Sequence, residues 1–169
     1  AQPLPETDPR WQSLPRDFLR ASEIPLPLPL GHFLRQFGQS DRSKAMAAME
    51  NILTAHPDLD GVCASSEPSS IGASLALKSR GLNGRVKLVA FDSSDTMIED
   101  LKGGVIDAMV VQDPFRMGHD AVKTLVDKLN GQTPPKKIDL SARVVTKADL
   151  EKEDVKQLLF PDVKKYLKQ

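Results

Sequence analysis

The chain has 169 residues, enough for one domain of ordinary size with a small appendage but not for two full domains. With 40% hydrophobic and 27% charged residues it has an ordinary globular composition, which excludes collagen-like, fibrous and wholly disordered classes. Lys plus Arg and Asp plus Glu number 23 each, so bulk charge recruits neither nucleic acid nor an anionic membrane.

Seven of the 13 prolines fall in the first 30 residues, and Pro25-Leu26-Pro27-Leu28-Pro29-Leu30 cannot run as a helix or a central strand because alternate residues lack a backbone donor. Residues 1–38 therefore read as a Pro-rich, partly irregular segment, with helical spacing confined to Ser13 to Glu23. From residue 39 to 169 the pattern becomes a regular alternation. Asp41 caps a helix with Ala45, Met46, Met49, Ile52 and Leu53 on one face, and His56-Pro57 ends it. A short strand spans Gly61 to Ala64. Glu67-Pro68 opens a second helix that turns Ile71, Leu75 and Ala76 inward and stops at Gly81.

Val86 to Phe91 is nearly continuous apolar sequence, the expectation for a parallel strand covered on both faces. A short helix with Met97, Ile98 and Leu101 closes at Gly103-Gly104, and Ala108 to Val111 forms the next strand. Asp113-Pro114 then caps a long helix over 114–130 carrying Phe115, Gly118, Ala121, Val122, Leu125 and Leu129. Beyond Pro134-Pro135, Ser141 to Thr146 reads as a strand, and Thr146 with Asp149 as a capping box for a charged C-terminal helix. Strands alternating with helices predict an α/β fold, a Rossmann-like parallel sheet flanked by helices.

In such sheets ligands bind beyond the carboxyl ends of the strands. That rule selects three loops: Ser65, Ser66 and Glu67 after the first strand, Asp92 with Ser93 and Ser94 after the second, and Gln112 with Asp113 after the third. Carboxylate and amide groups make paired hydrogen bonds to adjacent hydroxyls, so a neutral polyol, a sugar, is the expected guest. The same residue types also cap helices and turn chains in any α/β protein, and Asp113 before Pro114 reads as a cap.

Catalytic patterns are weak. No Gly-x-Ser-x-Gly elbow, phosphate loop, Gly-x-Gly-x-x-Gly turn or Cys-x-x-Cys pair occurs, and the carboxylates of Asp92-Ser93-Ser94-Asp95 are three apart rather than the two that aspartate-nucleophile phosphatases need. His32, His56 and His119 are dispersed, and Met46 and Met49 belong to a helix face, so neither a metal site nor a cofactor is expected. Cys63 reads as a small buried residue.

Asp41-Arg42-Ser43-Lys44-Ala45-Met46 and the run Asn51 to Val62 resemble the second lobe of type I periplasmic sugar-binding proteins, the ribose-binding type especially. The similarity continues through Ile71-Gly72-Ala73, Val89-Ala90-Phe91-Asp92, Ile106-Asp107-Ala108, Val111-Gln112-Asp113-Pro114, Met117-Gly118 and Leu158-Leu159-Phe160-Pro161-Asp162, covering Gln39 to Leu167. The resemblance implies a periplasmic receptor of a sugar ABC importer, whose membrane subunits are its partners, built from two lobes that close on a monosaccharide by a hinge. It matches Asp92 to the family's sugar-binding aspartate and Gln112 to its hinge-side glutamine. Ser66-Glu67 stands where the family has Asn-Asp, a departure that bears on the preferred sugar. It also implies that the first lobe is missing, through truncation or a scrambled frame upstream, and that binding is weakened accordingly. Helix 114–130, which would pack on that lobe, is then expected to cover its apolar face with its own lobe or with a second chain as a homodimer. The rival reading is the effector-sensing core of a sugar-responsive LacI-type transcription regulator, for which residues 1–40 supply no helix-turn-helix. A flavodoxin-like enzyme is the third.

Overall fold

The computed structural model describes residues 35–165. The helix expected at Ser13 to Glu23, the Pro-Leu run and His32 lie outside the described residues. From Phe37 onward the chain forms one compact unit.

Helix α1 (Arg42–Ala55) starts where its sequence dictates: Asp41 is extended and its carboxylate accepts from the Lys44 amide at 2.8 Å. It buries Ala45, Met49 and Leu53. Strand β1 (Gly61–Cys63) leads into α2 (Glu67–Ser79), which packs along α1 so closely that a Cβ on Gly72 would come within 2.6 Å of Ala45 Cβ and of Met46 N. Helix α2 buries Ser70, Ile71, Gly72, Ala73, Ser74, Ala76 and Leu77. Leu75, expected inward, is 41% exposed, because the buried arc of α2 is centred on the Gly72 crossing and Leu75 lies outside it.

Strand β2 (Lys87–Phe91), helix α3 (Asp95–Lys102) and strand β3 (Ala108–Val111) complete the repeating part. Strands β1, β2 and β3 pair in parallel and in chain order. Coverage of both faces is realised in β3, where all four residues are buried, whereas β2 alternates, with Leu88 and Ala90 buried and Val89 and Phe91 half-buried. Asp107 anchors the start of this pair, its carboxylate accepting from the Leu88 amide at 2.9 Å and from Lys87 Nζ at 2.9 Å.

Helix α4 (Pro114–Leu129) follows β3, and strand β4 (Arg143–Thr146) closes the four-stranded sheet in the order β1-β2-β3-β4. The parallel layout stops there. Strand β4 is antiparallel to β3, with Val111 opposite Arg143 and Ala108 opposite Thr146. The connection runs out through α4, none of whose residues is buried, and returns through the Pro134-Pro135 segment, so the chain enters β4 beside the carboxyl end of β3 and runs the opposite way.

The Thr146–Asp149 box is present but caps a single 3-10 turn, Lys147–Asp149, and helix α5 (Glu153–Leu159) begins afterwards. Asp149 accepts from the Thr146 amide at 2.9 Å, from its hydroxyl at 2.6 Å and from Lys152 Nζ at 2.7 Å. The core unites Met49 and Leu53 of α1, Ile71 and Leu77 of α2, Leu88, Met97, Leu101 and Met109 from the middle of the sheet and α3, and Val145 and Val155 from the C-terminal part.

Helix α4 stands apart. None of its residues is buried, and Val122, Leu125 and Leu129 are 64%, 59% and 76% exposed. Coverage of this face by its own lobe, one of the two expected outcomes, is therefore not met among the described residues. Cys63 also departs from its reading. As part of β1, at the edge of the described sheet, it is exposed, although enough apolar surface lies around the thiol to push its pKa up and keep it protonated at neutral pH.

Candidate site at the carboxyl edge of the parallel strands

Because β1, β2 and β3 are parallel neighbours about 4.8 Å apart, the loops that leave them emerge side by side at one edge of the sheet. The order along that edge is Ser65 to Glu67, then Asp92 to Ser94, then Gln112 and Asp113, with Asp92 in the middle. Helices α2, α3 and α4 all begin at this edge, so their first free N–H groups gather there too.

Asp92 is the most constrained residue of the three loops. Its φ is +69°, a left-handed conformation uncommon outside glycine, though aspartate enters it more readily than most residues. Its amide donates to Val110 O at 2.9 Å, extending the β2–β3 ladder one step past the strand. The half-buried carboxylate has no protein partner among the described residues, which leaves its acceptor capacity for a ligand. Gln112 directly follows β3, is exposed, and likewise has no side-chain hydrogen bond among the described residues.

The first loop is more committed. Ser66 is extended, at φ −163° and ψ 162°, and occupies the cap position of α2, yet its hydroxyl donates to Ser69 Oγ at 3.0 Å rather than capping a backbone amide. Glu67 is ion-paired with Arg42 of α1, so its charge is engaged away from the other two loops. Ser65 is exposed. Two neighbours have purely local roles. Asp113 accepts from the Arg116 amide at 2.9 Å and caps α4 as its sequence indicated, and Ser94 accepts from the Met97 amide at 3.5 Å to start α3.

A recess of about 210 Å³ lies next to this edge, lined by Val111, Asp113, Ser141, Arg143, Asp154 and Leu158. It contains none of Asp92, Gln112 and Ser66, and its polar groups are largely satisfied by the Arg143–Asp154 pair at 2.6 Å, whose attraction lowers the Asp154 pKa. On the edge itself Asp92 is half-buried and Gln112 exposed. Among the described residues no cluster of His, Cys, Asp and Glu could hold a metal ion, and no helix is long and apolar enough to cross a membrane.

Sequence reasoning missed Ser70. Fully buried on α2, its hydroxyl donates to Ser66 O at 2.8 Å and accepts from the Phe91 amide at 3.0 Å, tying the first loop to the end of β2 just before Asp92. The available signal was a serine one helical turn before a second serine, Ser74, in an otherwise apolar arc of α2.

A family model described as a periplasmic binding protein domain matches residues 32–133. The ribose import binding protein of Bacillus subtilis is 30% identical over 112 residues, covering 66% of this chain and 36% of that protein. The D-apiose import binding protein of Paraburkholderia graminis is 33% identical over 124 residues, covering 72% and 39%. Among solved structures, an ABC transporter solute-binding protein from Agrobacterium vitis with bound D-fucose superposes with a TM-score of 0.72 at 32% identity, over 76% of this chain and 44% of that one. The chain thus spans less than half the length of each of these proteins.

Proposed function

The chain belongs to the periplasmic binding protein domain family, and on that premise we propose that it carries one wall of the sugar cleft of an ABC importer's receptor, a binding protein and not an enzyme. Asp92 and Gln112 are the groups that hold the sugar, with the Ser66 hydroxyl beside them and Ser65 and Glu67 at the margin. The observation that carries the reading is Asp92: a carboxylate without a protein partner among the described residues, in a left-handed backbone, at the middle of three parallel strand ends. A carboxylate so placed accepts from two neighbouring hydroxyls of a monosaccharide, and the exposed Gln112 amide next to it both donates and accepts. Similarity to proteins named for ribose and apiose import, and to one holding D-fucose, supports a neutral monosaccharide as the ligand class. The same similarity supports a periplasmic location and a partnership with the membrane subunits of the importer.

The site is half of what encloses a sugar. A lobe acting by itself supplies fewer hydrogen bonds and excludes less water than a closed cleft, so its affinity falls well below that of a two-lobed receptor. The wide apolar exposure of α4 supports a second element of the reading, a homodimer through helix 114–130.

Calorimetric titration with pentoses and hexoses at millimolar concentration tests the sugar site. Saturable heat that Asp92→Ala abolishes is the expected result, and silence from a folded sample with every sugar would refute it. Sedimentation equilibrium tests the dimer: Leu125→Lys should convert a dimer to a monomer, and a monomeric parent chain would exclude it.

A further inference from the structure

Strand β1 ends at Cys63, and after the Ala64 amide donates to Val89 O at 2.9 Å the first loop leaves the sheet. The Phe91 amide thereby loses the next rung on that side. Ser70 replaces it. Its hydroxyl, on a residue with no solvent exposure, accepts from Phe91 N at 3.0 Å, donates to Ser66 O at 2.8 Å and lies 3.3 Å from Phe91 O. A serine hydroxyl bonded to the carbonyl four residues back is a common local habit of helices. The Phe91 contact is different in kind, because it joins α2 to the residue immediately before Asp92.

Asp92 is thus held from two sides, through Phe91 by Ser70 and through its own amide by Val110 O, and between these two anchors its backbone adopts the left-handed φ of +69°. We propose that Ser70 is a positioning residue of the sugar site: it sets the backbone that aims the Asp92 carboxylate and at the same time fixes the Ser66 loop relative to it. The ligand part of this inference rests on the sugar-site reading above, whereas the backbone part does not. A site built this way owes its geometry to a buried hydroxyl that never touches ligand.

The test compares Ser70→Ala with Ser74→Ala. Ser74 is equally buried one turn further along α2, but its hydroxyl bonds Asp100 of α3, remote from the three loops. Amide hydrogen exchange and amide chemical shifts are read on the full chain, followed by titration with D-ribose and D-fucose. Ser70→Ala should strip protection from the Phe91 amide, move the Asp92 and Ser66 resonances and weaken sugar binding about tenfold, the scale of one lost orienting hydrogen bond. Ser74→Ala should leave all of these in place while lowering stability. Unchanged Phe91 protection and Asp92 shifts in Ser70→Ala, or equal changes in Ser74→Ala, would overturn the positioning role. If the parent chain binds neither sugar, the sugar-site reading falls and the exchange and shift data alone decide whether Ser70 holds Asp92.

Discussion

Helices α2 and α4 begin alike and end differently in what they touch. Each follows a parallel strand, each has proline in its first turn, and each gives way to a glycine with positive φ, Gly81 or Gly131. Helix α2 buries seven residues and α4 none. Yet α4 has the cleaner division into apolar and charged faces, its polar side laced by Arg116–Asp120 and Lys123–Asp127 pairs. A two-sided pattern on a helix states that one face is to be covered, and start and stop signals state where the helix lies, but neither states by what it is covered. In α2 the answer is α1 and the sheet. In α4 the covering surface is not among the described residues.

The largest effect that can break this comparison is a leucine truncation in each helix. Leu77→Ala in α2 empties a fully buried site and should cost about 2–5 kcal/mol. Leu129→Ala in α4, at 76% exposure, should stay within about 0.5 kcal/mol when unfolding is followed by urea at a concentration where the chain is monomeric. Equal costs would mean that α4 is covered after all.

Glycines sharpen the contrast with opposite signs. A Cβ on Gly72 meets α1 backbone and Ala45, so Gly72→Ala should push the helices apart and cost about 1–3 kcal/mol. Gly118 of α4 has open space around it, so Gly118→Ala should raise stability by about 0.5–1 kcal/mol, because alanine loses less backbone entropy in a helix. Thermal unfolding of both variants checks the pair of signs.

The smallest effect concerns the two capping carboxylates. Asp113 accepts one backbone hydrogen bond at the start of α4, whereas Asp149 is held far below its ordinary range, chiefly by the Lys152 ammonium and then by the Thr146 hydroxyl and amide. A folded-state pKa depressed in this way contributes stability above the unfolded value of about 4 and loses it progressively as pH falls below that value. Asp149→Asn should therefore flatten the acid limb of the stability profile while changing little of its shape at neutral pH.

Most of the architecture was legible because it rests on local rules. Asp41, Pro68, Asp113 and the His56-Pro57 break act within one turn of where they stand, and the apolar runs of β2 and β3 needed only to be adjacent. The misreadings share another cause. The direction of β4 depends on where a long connection brings the chain, and the exposure of Leu75 and of Cys63 depends on which neighbours a helix arc or a strand meets. None of these is encoded within a few residues. At the candidate site, the loops bearing Asp92, Gln112 and Ser66 follow from strand order and were readable. The engagement of Glu67 by Arg42 and the Ser70 bridge to Phe91 join residues more than 20 positions apart, which no local pattern reveals.

The central claim is that the edge carrying Asp92 is the sugar surface, and it is tested most directly by mapping backbone amide shifts during titration with D-ribose and D-fucose. The account predicts saturable changes confined to Ser65–Glu67, Asp92–Ser94 and Gln112–Asp113. Changes centred instead on the Arg143 and Asp154 recess, or none at all in a folded sample, would contradict it.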